Sequence, residues 1–386
     1  MEKELLIKGD FMTNTNKIIL DLISKNASVN EITSITGLSA KQLFHRMNML
    51  KIKGYDFKRK YYYNGDVTYS LIKNLEKEKA NETTIITSKK DKEFKAILIS
   101  DLHIGNINER PDLLHEIYNF CIKNGINIIL NAGDIVDGPW NCGNNKNKKT
   151  FDIESQIEYL LKVYPYDKNI LNFICLGNHD YACLKAEGLD LHKIFENKRH
   201  DLISLGYSKG IINIKNDKLA IIHPTELETT NINADLLLTF RGHSHKSKNQ
   251  VHSRNVNLWI PSLTNLNVVN GNTCRKNFPS MIVANISFHK KGYFEFGNFE
   301  QFIFIDKEIV KVNELDCYLL NGKNISKNTI DNEEERKLLS EKVINDIIKD
   351  MSPIKTNGNI EENKKSKEKT LELTQTEKFN KKWNRK

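Results

Sequence analysis

The sequence predicts an α/β fold, and two observations support that class. From Lys95 onward, short runs rich in β-branched residues alternate with helical patterns, as expected for strands that are buried on both faces. The strand patterns are KAILIS, INIILNAG and KNILNFICLG, and the helical patterns between them are LLHEIYNFCIKNG and IESQIEYLLKVY. Later strand patterns, including KLAIIHP and DLLLTFRG, follow without long helices, which predicts a second sheet packed on the first.

Before this region, residues 13 to about 75 predict three short helices followed by a hairpin. Gly37 marks a turn, and Ser39 stands three residues before Gln42, which is the spacing of a capping box. Asn64-Gly65 between two strand patterns is a strong hairpin signal. This order of elements resembles a winged helix-turn-helix domain, with residues 39–53 as the recognition helix and residues 57–69 as the wing.

The winged-helix resemblance implies that a basic face contacts nucleic acid, because the recognition helix and the wing are the parts that meet DNA. The residues expected to make these contacts are Lys41, Gln42, Arg46, Lys58 and Arg59. A small helical module for protein contacts is the alternative interpretation. The aromatic run Tyr61 to Tyr63 either stacks on bases or fills the core of the hairpin.

We expect four regions along the chain. They are a winged-helix-like domain over residues 1–80, a polar linker over 81–93, an α/β domain over 94–312 and a charged tail over 313–386. The tail combines one amphipathic helix with a low-complexity end, and about the last 35 residues are expected to be disordered.

Composition narrows the function classes. The chain has 386 residues and a formal net charge of +9, which favours a polyanionic partner such as nucleic acid. No uncharged apolar run approaches the roughly 18 residues that cross a bilayer, so we expect a cytoplasmic protein. The six cysteines form no CxxC pair, which argues against a zinc ribbon or a disulfide framework and predicts reduced, structural thiols. There is no Walker A loop.

Five polar clusters occur where strand patterns end. They are Asp101 and His103, Asp134 and Asp137, Asn178 and His179, His223, and His243 and His245. On an extended segment, the spacing of Asp101 and His103 points both side chains to the same side. Five such clusters in succession indicate a metal site more strongly than any one of them alone.

The motifs D-x-H, G-D-x-x-D, G-N-H-D, H and G-H-x-H occur in this order, and they resemble those of the calcineurin-like metallophosphoesterase superfamily over about residues 95–265. The resemblance implies a β-sandwich flanked by helices, with a two-metal site on the loops at the strand ends. The ligands that it implies are Asp101, His103 and His245 for one metal, Asn178, His223 and His243 for the other, and Asp134 as the bridge. Mixed imidazole, carboxylate and amide-oxygen ligands suit manganese, with iron or zinc as alternatives.

The same resemblance implies a metal-bridging hydroxide as the nucleophile and His179 as the general acid that protonates the leaving group. Asp137 would orient and charge His179 through a hydrogen bond. Asp180 is expected to brace the loop, with a direct catalytic role as the alternative. Arg241 either binds a phosphate or braces its loop, and the segment PWNCGNNKNKKT either lines a substrate groove or is a solvated loop.

The superfamily contains several substrate classes, so the appended domain must indicate the substrate. A basic winged-helix-like domain beside a two-metal site favours a DNA-directed phosphodiesterase or nuclease. The alternatives are a small-nucleotide or cyclic-nucleotide phosphodiesterase, a protein phosphatase, and a DNA-binding regulator with a silent phosphoesterase fold. The intact ligand set argues against the last of these.

Overall fold

The computed structural model describes ten stretches of the chain. They are residues 13–55, 57–71, 81–139, 152–224, 236–252, 255–265, 268–270, 273–275, 278–305 and 308–319. The chain divides into two compact units, Met1–Asn324 and Ile325–Lys386. The second unit lies outside the described residues, and so does the helix and disordered end expected there.

Within the described residues there are seven helices and seventeen strands. The helices are α1 (Asn14–Ser24), α2 (Val29–Thr36), α3 (Ala40–Ile52), α4 (Pro111–Asn124), α5 (Ile153–Val163), α6 (Asn178–Glu187) and α7 (Leu191–Lys198). The strands are β1 (Phe57–Tyr62), β2 (Val67–Leu71), β3 (Glu82–Ile86), β4 (Glu93–Ile99), β5 (Ile128–Asn131), β6 (Leu171–Leu176), β7 (Leu202–Tyr207), β8 (Lys209–Ile214), β9 (Asp217–Ile222), β10 (Leu238–Arg241), β11 (Lys248–His252), β12 (Asn255–Trp259), β13 (Val268–Asn270), β14 (Thr273–Arg275), β15 (Ser280–Phe288), β16 (Phe294–Ile305) and β17 (Glu308–Tyr318). None of these helices is long and apolar enough to cross a membrane. The cytoplasmic location stays a prediction.

The described strands form two large mixed sheets and one small hairpin sheet. One large sheet has the order β11-β12-β10-β9-β8-β3-β1-β2, the other has the order β17-β16-β15-β4-β5-β6-β7, and β13 pairs with β14. In the second sheet β4, β5, β6 and β7 run parallel, and in the first sheet β9, β10 and β12 run parallel. The predicted α/β class and the second sheet are confirmed.

Two cores explain why the central strands are apolar on both faces. In β4, Ala96 and Leu98 join a core that also contains Leu238 and Phe240 of the other sheet. The alternate residues Ile97 and Ile99 instead join a core with residues of α4, α5 and α7. Because side chains alternate along a strand, β4 is buried between a sheet and a layer of helices, as its continuous apolar pattern predicts.

The predicted helices and hairpin of the N-terminal region are all present. Ser39 and Gln42 form the expected capping box at the start of α3. β1 pairs with β2 in antiparallel fashion and with β3 in parallel fashion, and β3 pairs with β8. The segment expected as a linker over residues 81–93 therefore contains a strand that joins the hairpin to the large sheet. The winged-helix assignment stays a prediction.

The aromatic run of the hairpin packs in the core. The Tyr61 ring meets the Phe173 ring edge-on with 5.5 Å between centroids, and the Tyr63 and Phe94 centroids are 5.3 Å apart. The hairpin tip is also packed, because a side chain at Gly65 would collide with the backbone of Asn169, and Gly65 has a φ of +85°. Tyr61 and Tyr63 thus fill the core, which was one of the two expected roles.

The α/β domain extends beyond its expected C-terminal end, and the described cysteine side chains are buried. The expected boundary at residue 312 falls inside β17, which continues the sheet to Tyr318. Cys121, Cys175, Cys183 and Cys317 are buried, as expected of structural thiols. Cys142 lies outside the described residues.

Candidate active site

The five polar clusters lie in loops or helix starts that directly follow β4, β5, β6, β9 and β10. The described chain has nine non-glycine residues with positive φ, and five of them are predicted ligands: Asp101, His103, Asp134, His243 and His245. Non-glycine residues held in this strained region are concentrated at functional sites in proteins. The expectation that Asp101 and His103 lie on an extended segment is therefore wrong, because their φ angles are 54° and 43°.

Side chains of the first predicted ligand group converge on one point. His245 Nε2 lies 3.3 Å from Asp101 Oδ1 and 3.2 Å from His103 Nε2. His103 Nε2 lies 4.0 Å from Asp134 Oδ2. Two imidazole nitrogens that face each other at this distance, beside carboxylates, form an arrangement that a shared cation satisfies.

The second predicted group converges beside the first and shares Asp134 with it. His223 Nε2 lies 3.0 Å from Asp134 Oδ2 and 3.0 Å from Asn178 Oδ1. His243 Nδ1 lies 2.9 Å from the same Asn178 oxygen. All seven residues predicted as ligands therefore meet at one site, with Asp134 between the two groups. Three sets of side chains at this site, one of which includes His179, have ligand atoms close enough to hold an ion.

Burial and charge show that the residues fit divalent cations. Asp101 and Asp134 are 0% and 1% exposed, and two buried carboxylates need positive charge beside them. Burial would raise the pKa of Asp134, but the charge of His223 and the hydrogen bond from it hold that pKa below its ordinary value. Burial would lower the pKa of His223, but the charge of Asp134 outweighs it and raises that pKa to about 9. Divalent ions supply the same positive charge and displace the proton.

A backbone contact fixes the orientation of His223. Its Nδ1 lies 2.5 Å from the carbonyl oxygen of Ala132, so Nδ1 carries the proton and donates. This leaves Nε2 to face Asp134 and Asn178, which is the usual way in which an outer contact sets the tautomer of a metal-binding histidine.

Close packing explains the glycine of the G-H-x-H motif. A side chain at Gly242 would collide with Ser100 Oγ and the Ala132 carbonyl, and its first carbon would lie 2.7 Å from His223 Nδ1. Since the segments after β4, β5 and β9 all approach this backbone, only glycine lets His243 reach the site.

His179, the predicted general acid, begins α6 together with Asn178. Its backbone N–H donates to Asp134 Oδ1 at 2.9 Å, and its ring lies against that of His103 with centroids 4.5 Å apart. Its Nδ1 lies 2.7 Å from the backbone carbonyl oxygen of Asp137. A carbonyl oxygen can only accept, so Nδ1 carries a proton and the direction of the ring is fixed.

Asp137 was expected to orient His179 through its carboxylate, and the structure shows a different arrangement. The carbonyl of Asp137 contacts His179, whereas Oδ1 accepts a hydrogen bond from Asn106 Nδ2 at 3.1 Å. The same Oδ1 lies 3.5 Å from His103 Nδ1, a buried nitrogen with no well-aligned hydrogen-bond partner among the described residues. The carboxylate of Asp137 therefore positions a predicted metal ligand, with Asn106 as a partner that no sequence motif indicated.

Asp180 braces the loops, as expected. Its Oδ1 accepts from the N–H groups of Ile135 and Val136 at 2.9 and 3.1 Å, and its Oδ2 accepts from Gly177 N at 2.8 Å. Burial, with the charge of Asp134 added to it, raises the pKa of Asp180 to about 6. This one carboxylate ties the loop after β5 to the loop after β6.

Arg241 contacts two residues of the neighbouring strand β12. It is 6% exposed, its Nε donates to Asn257 Oδ1 at 3.4 Å, and its guanidinium carbon lies 5.4 Å from the centroid of Trp259. The segment PWNCGNNKNKKT begins at Pro139, and its remaining residues lie outside those described, so its expected role stays open.

Among the residues expected to contact nucleic acid, Gln42, Arg46 and Arg59 make hydrogen bonds within the chain. Gln42 Oε1 accepts from Ser39 N at 2.8 Å, and Arg46 Nη1 donates to Asn16 Oδ1 at 3.1 Å. Arg59 Nη2 donates to the carbonyl oxygen of Glu196 at 2.7 Å. Lys41 and Lys58 are exposed.

The predicted recognition helix, α3, packs against α7 and the residues that follow it. Phe44 stacks on His200 with ring centroids 4.3 Å apart, and Asn48 Nδ2 donates to the carbonyl oxygen of Asn197 at 2.9 Å. Lys51 Nζ lies 3.4 Å from Glu196 Oε1. One face of α3 therefore packs against α7 and His200.

The site lies in the two-sheet part of the chain, and its side chains could hold metal ions. Residues 94–279 match the family described as Calcineurin-like phosphoesterase, so the chain carries a calcineurin-like metallophosphoesterase domain.

Comparisons with individual proteins add relatives of that class and similar structures. An uncharacterized metallophosphoesterase of Helicobacter pylori strain J99 is 26% identical over 217 residues, which cover 51% of this chain and 55% of that protein. The chain thus spans about half the length of the curated relatives it matches. Vacuolar protein sorting 29 from Cryptosporidium parvum is 15% identical, with a TM-score of 0.36, over 59% of this chain and 100% of that one. Wild-type Vps29 from Entamoeba histolytica, solved with zinc, is 12% identical, with a TM-score of 0.34, over 57% of this chain and 98% of that one.

Proposed function

We propose that the protein hydrolyses phosphodiesters with two divalent metal ions held by the loops after β4, β5, β6, β9 and β10. One observation carries the proposal. Seven donor residues from five separate segments meet at one point where both carboxylates are buried, and Asp134 lies between the two groups. Packing alone does not require two buried carboxylates and four imidazoles at the ends of apolar strands.

The seven predicted ligands would bind the metal ions. His103, His245 and Asp101 would hold one ion, His223, His243 and Asn178 would hold the other, and Asp134 would touch both. Two bound divalent ions neutralise phosphate oxygens and lower the pKa of bound water, so the site acquires a nucleophile near neutral pH. We propose manganese, because this ligand mixture suits it, with iron or zinc as alternatives.

In this proposal His179 donates the proton that the leaving group needs. Its Nδ1 is held by the Asp137 carbonyl at 2.7 Å, so the ring keeps one direction and presents Nε2 for proton transfer. Asp134 accepts from the His179 backbone N–H, which ties the acid to the residue between the ion sites. The ring is therefore fixed relative to the metal-binding loops.

A direct assay tests this function. Purified protein is incubated with bis-para-nitrophenyl phosphate in the presence of Mn²⁺, Mg²⁺ or a chelator. We expect hydrolysis with Mn²⁺ that the chelator abolishes. Hydrolysis that continues unchanged in the chelator, or its absence with every divalent ion offered, would contradict the proposal.

We propose DNA as the substrate class, which the net charge of +9 and the exposed residues Lys41 and Lys58 support. Of the other residues predicted to touch DNA, Gln42, Arg46 and Arg59 make hydrogen bonds within the chain. A small-nucleotide diester is the second candidate, because the metal-binding residues themselves need only one phosphodiester and no long strand. Labelled single-stranded and double-stranded DNA beside a cyclic dinucleotide, each with Mn²⁺, separates the two.

A further inference from the structure

Arg241 is a buried cation whose charge is not neutralised by a described carboxylate. The residue is 6% exposed, and no carboxylate of the described residues forms an ion pair with its guanidinium. Its one hydrogen bond to a described residue is the 3.4 Å contact from Nε to Asn257 Oδ1. A guanidinium carries five N–H donors, so most of the N–H donors of Arg241 have no charged acceptor among the described residues. A buried positive charge of this kind is stabilised by an anion.

A second cation and an aromatic ring stand beside Arg241. Trp259 pairs with Arg241 on one neighbouring strand and with Lys248 on the other, so the three residues lie side by side on β10, β12 and β11. The Arg241 guanidinium carbon and the Lys248 Nζ lie 5.4 and 4.7 Å from the Trp259 ring centroid. The ring holds both cations by cation–π contacts and so sets their spacing.

This trio adjoins the metal-binding loop at both of its ends. Arg241 is two residues before His243, and Lys248 is three residues after His245. An extended chain spans at most about 3.6 Å per residue, so the backbone of Arg241 lies within about 7 Å of that of His243, and Lys248 within about 11 Å of His245. The strands that carry the two cations therefore lead directly into and out of the loop that holds His243 and His245.

We propose that Arg241, Trp259 and Lys248 form a subsite for a second phosphate of the substrate, next to the phosphate that is cleaved. Arg241 supplies planar donors from a fixed position, and the exposed Lys248 exchanges its ring contact for a phosphate oxygen. The subsite selects substrates with at least two neighbouring phosphates, such as a nucleic-acid strand, over esters with a single phosphate. It rests on the proposed function for the position of the cleaved phosphate.

Binding and turnover are measured on the full chain with Mn²⁺. The probes are a thymidine dinucleotide with and without a terminal phosphate, and bis-para-nitrophenyl phosphate reports the metal site by itself. The test variant is Lys248→Ala. The control is Lys90→Ala, which removes an exposed lysine near the opposite end of β4, a strand about 20 Å long, from the metal-binding loop.

For Lys248→Ala we expect an affinity for the phosphorylated dinucleotide that is lower by about three- to tenfold, with a salt slope smaller by about 0.7. Binding of the unphosphorylated dinucleotide, and hydrolysis of the aryl ester, should match the parent and Lys90→Ala. A second variant, Arg241→Lys, keeps the charge but removes the planar donors, and it should weaken binding of the same probe alone.

Equal weakening of both dinucleotides, or no weakening of either, overturns the subsite. A parent that is inactive on the aryl ester but still binds the phosphorylated probe through Lys248 overturns the hydrolytic function and leaves the subsite standing. Activity on the aryl ester with no effect of Lys248→Ala on either probe supports the function and overturns the subsite.

Discussion

In the loops after β4, β5, β6, β9 and β10, polar side chains from distant parts of the chain converge on one point. In the N-terminal helices and hairpin, Gln42 and Arg46 bond to residues of the same region, and Arg59 bonds to the carbonyl of Glu196. The loops also hold five predicted ligands at positive φ. Strained backbone and buried charge persist only where the surrounding fold enforces them, so the loops carry the stronger signature of function.

Polar patterns in the two regions are therefore unequal guides to function. A basic or amide residue on a predicted helix can cap the helix, form a hydrogen bond within the chain or contact a partner molecule. The sequence pattern is the same in all three cases. Five clusters at successive strand ends have fewer interpretations, because the carboxyl ends of parallel strands meet at one edge. Substitutions in both regions can break or sharpen this contrast.

The largest effect is expected at His179. His179→Ala should lower turnover by about 10²–10⁴-fold for esters with poor leaving groups, and much less for an activated aryl ester that needs no proton. The measurement is kcat on an alkyl and an aryl diester, with metal content determined in parallel. His115→Ala, on the exposed face of α4, is the matched control. An equal reduction on both esters would assign His179 a positioning role.

Asp180 tests the bracing of the loops. Asp180→Ala leaves three buried N–H groups without their acceptor and should lower the free energy of unfolding by about 2–3 kcal/mol. Asp180→Asn can keep the two bonds of Oδ1 and should cost less. Urea unfolding of the metal-free proteins measures both. Parent-like stability of Asp180→Ala would show that this carboxylate does not tie the two loops together.

Gly65 tests whether the hairpin tip is packed on the catalytic region. Gly65→Ala should lower the free energy of unfolding by about 1–3 kcal/mol. The alanine side chain would collide with the Asn169 backbone, and a non-glycine residue at this positive φ is strained as well. Gly37→Ala is the control, since it has a φ of +68° but nothing within 4 Å of the added carbon. Thermal unfolding compares the two. Equal destabilisation by both substitutions would indicate that the hairpin tip is loose.

The smallest effect concerns DNA. Joint replacement of Lys41, Arg46, Lys58 and Arg59 by alanine should flatten the salt dependence of DNA binding by up to about one unit for each phosphate that the protein no longer neutralises. The pair Lys41→Ala and Lys58→Ala alone should account for most of that change, because both lysines are exposed, whereas Arg46 and Arg59 are partly buried. Fluorescence anisotropy over a salt series measures it. A slope identical to the parent's would make the N-terminal region a structural or protein-binding part.

Much of the fold could be predicted because apolar runs and turn residues report local structure. The strands before the clusters, the capping box at Ser39 and the hairpin at Asn64-Gly65 all follow from such patterns. The left-handed backbone at Asp101 could not be predicted, because aspartate adopts it only when surrounding loops force it. Nor could the carboxylate of Asp137 be assigned to His103 rather than to His179, since spacing along the chain does not show which atom of a residue faces which ring.

The strands β3 and β17, which lie at the two expected domain boundaries, could not be predicted from the sequence either. β3 is short and lies in a polar segment, and its pairing partners β1 and β8 are not adjacent hairpin strands, so nothing local marks it as a strand. β17 is charged and lies at a sheet edge, which resembles the start of a solvated tail.

The central claim is that Asp134 joins two metal sites, and metal content after dialysis with Mn²⁺ tests it most directly. We expect two ions per chain for the parent and for His179→Ala, and close to none for Asp134→Ala, because both groups lose the carboxylate between them. Near-normal occupancy in Asp134→Ala, or a parent that retains no metal, would contradict the account.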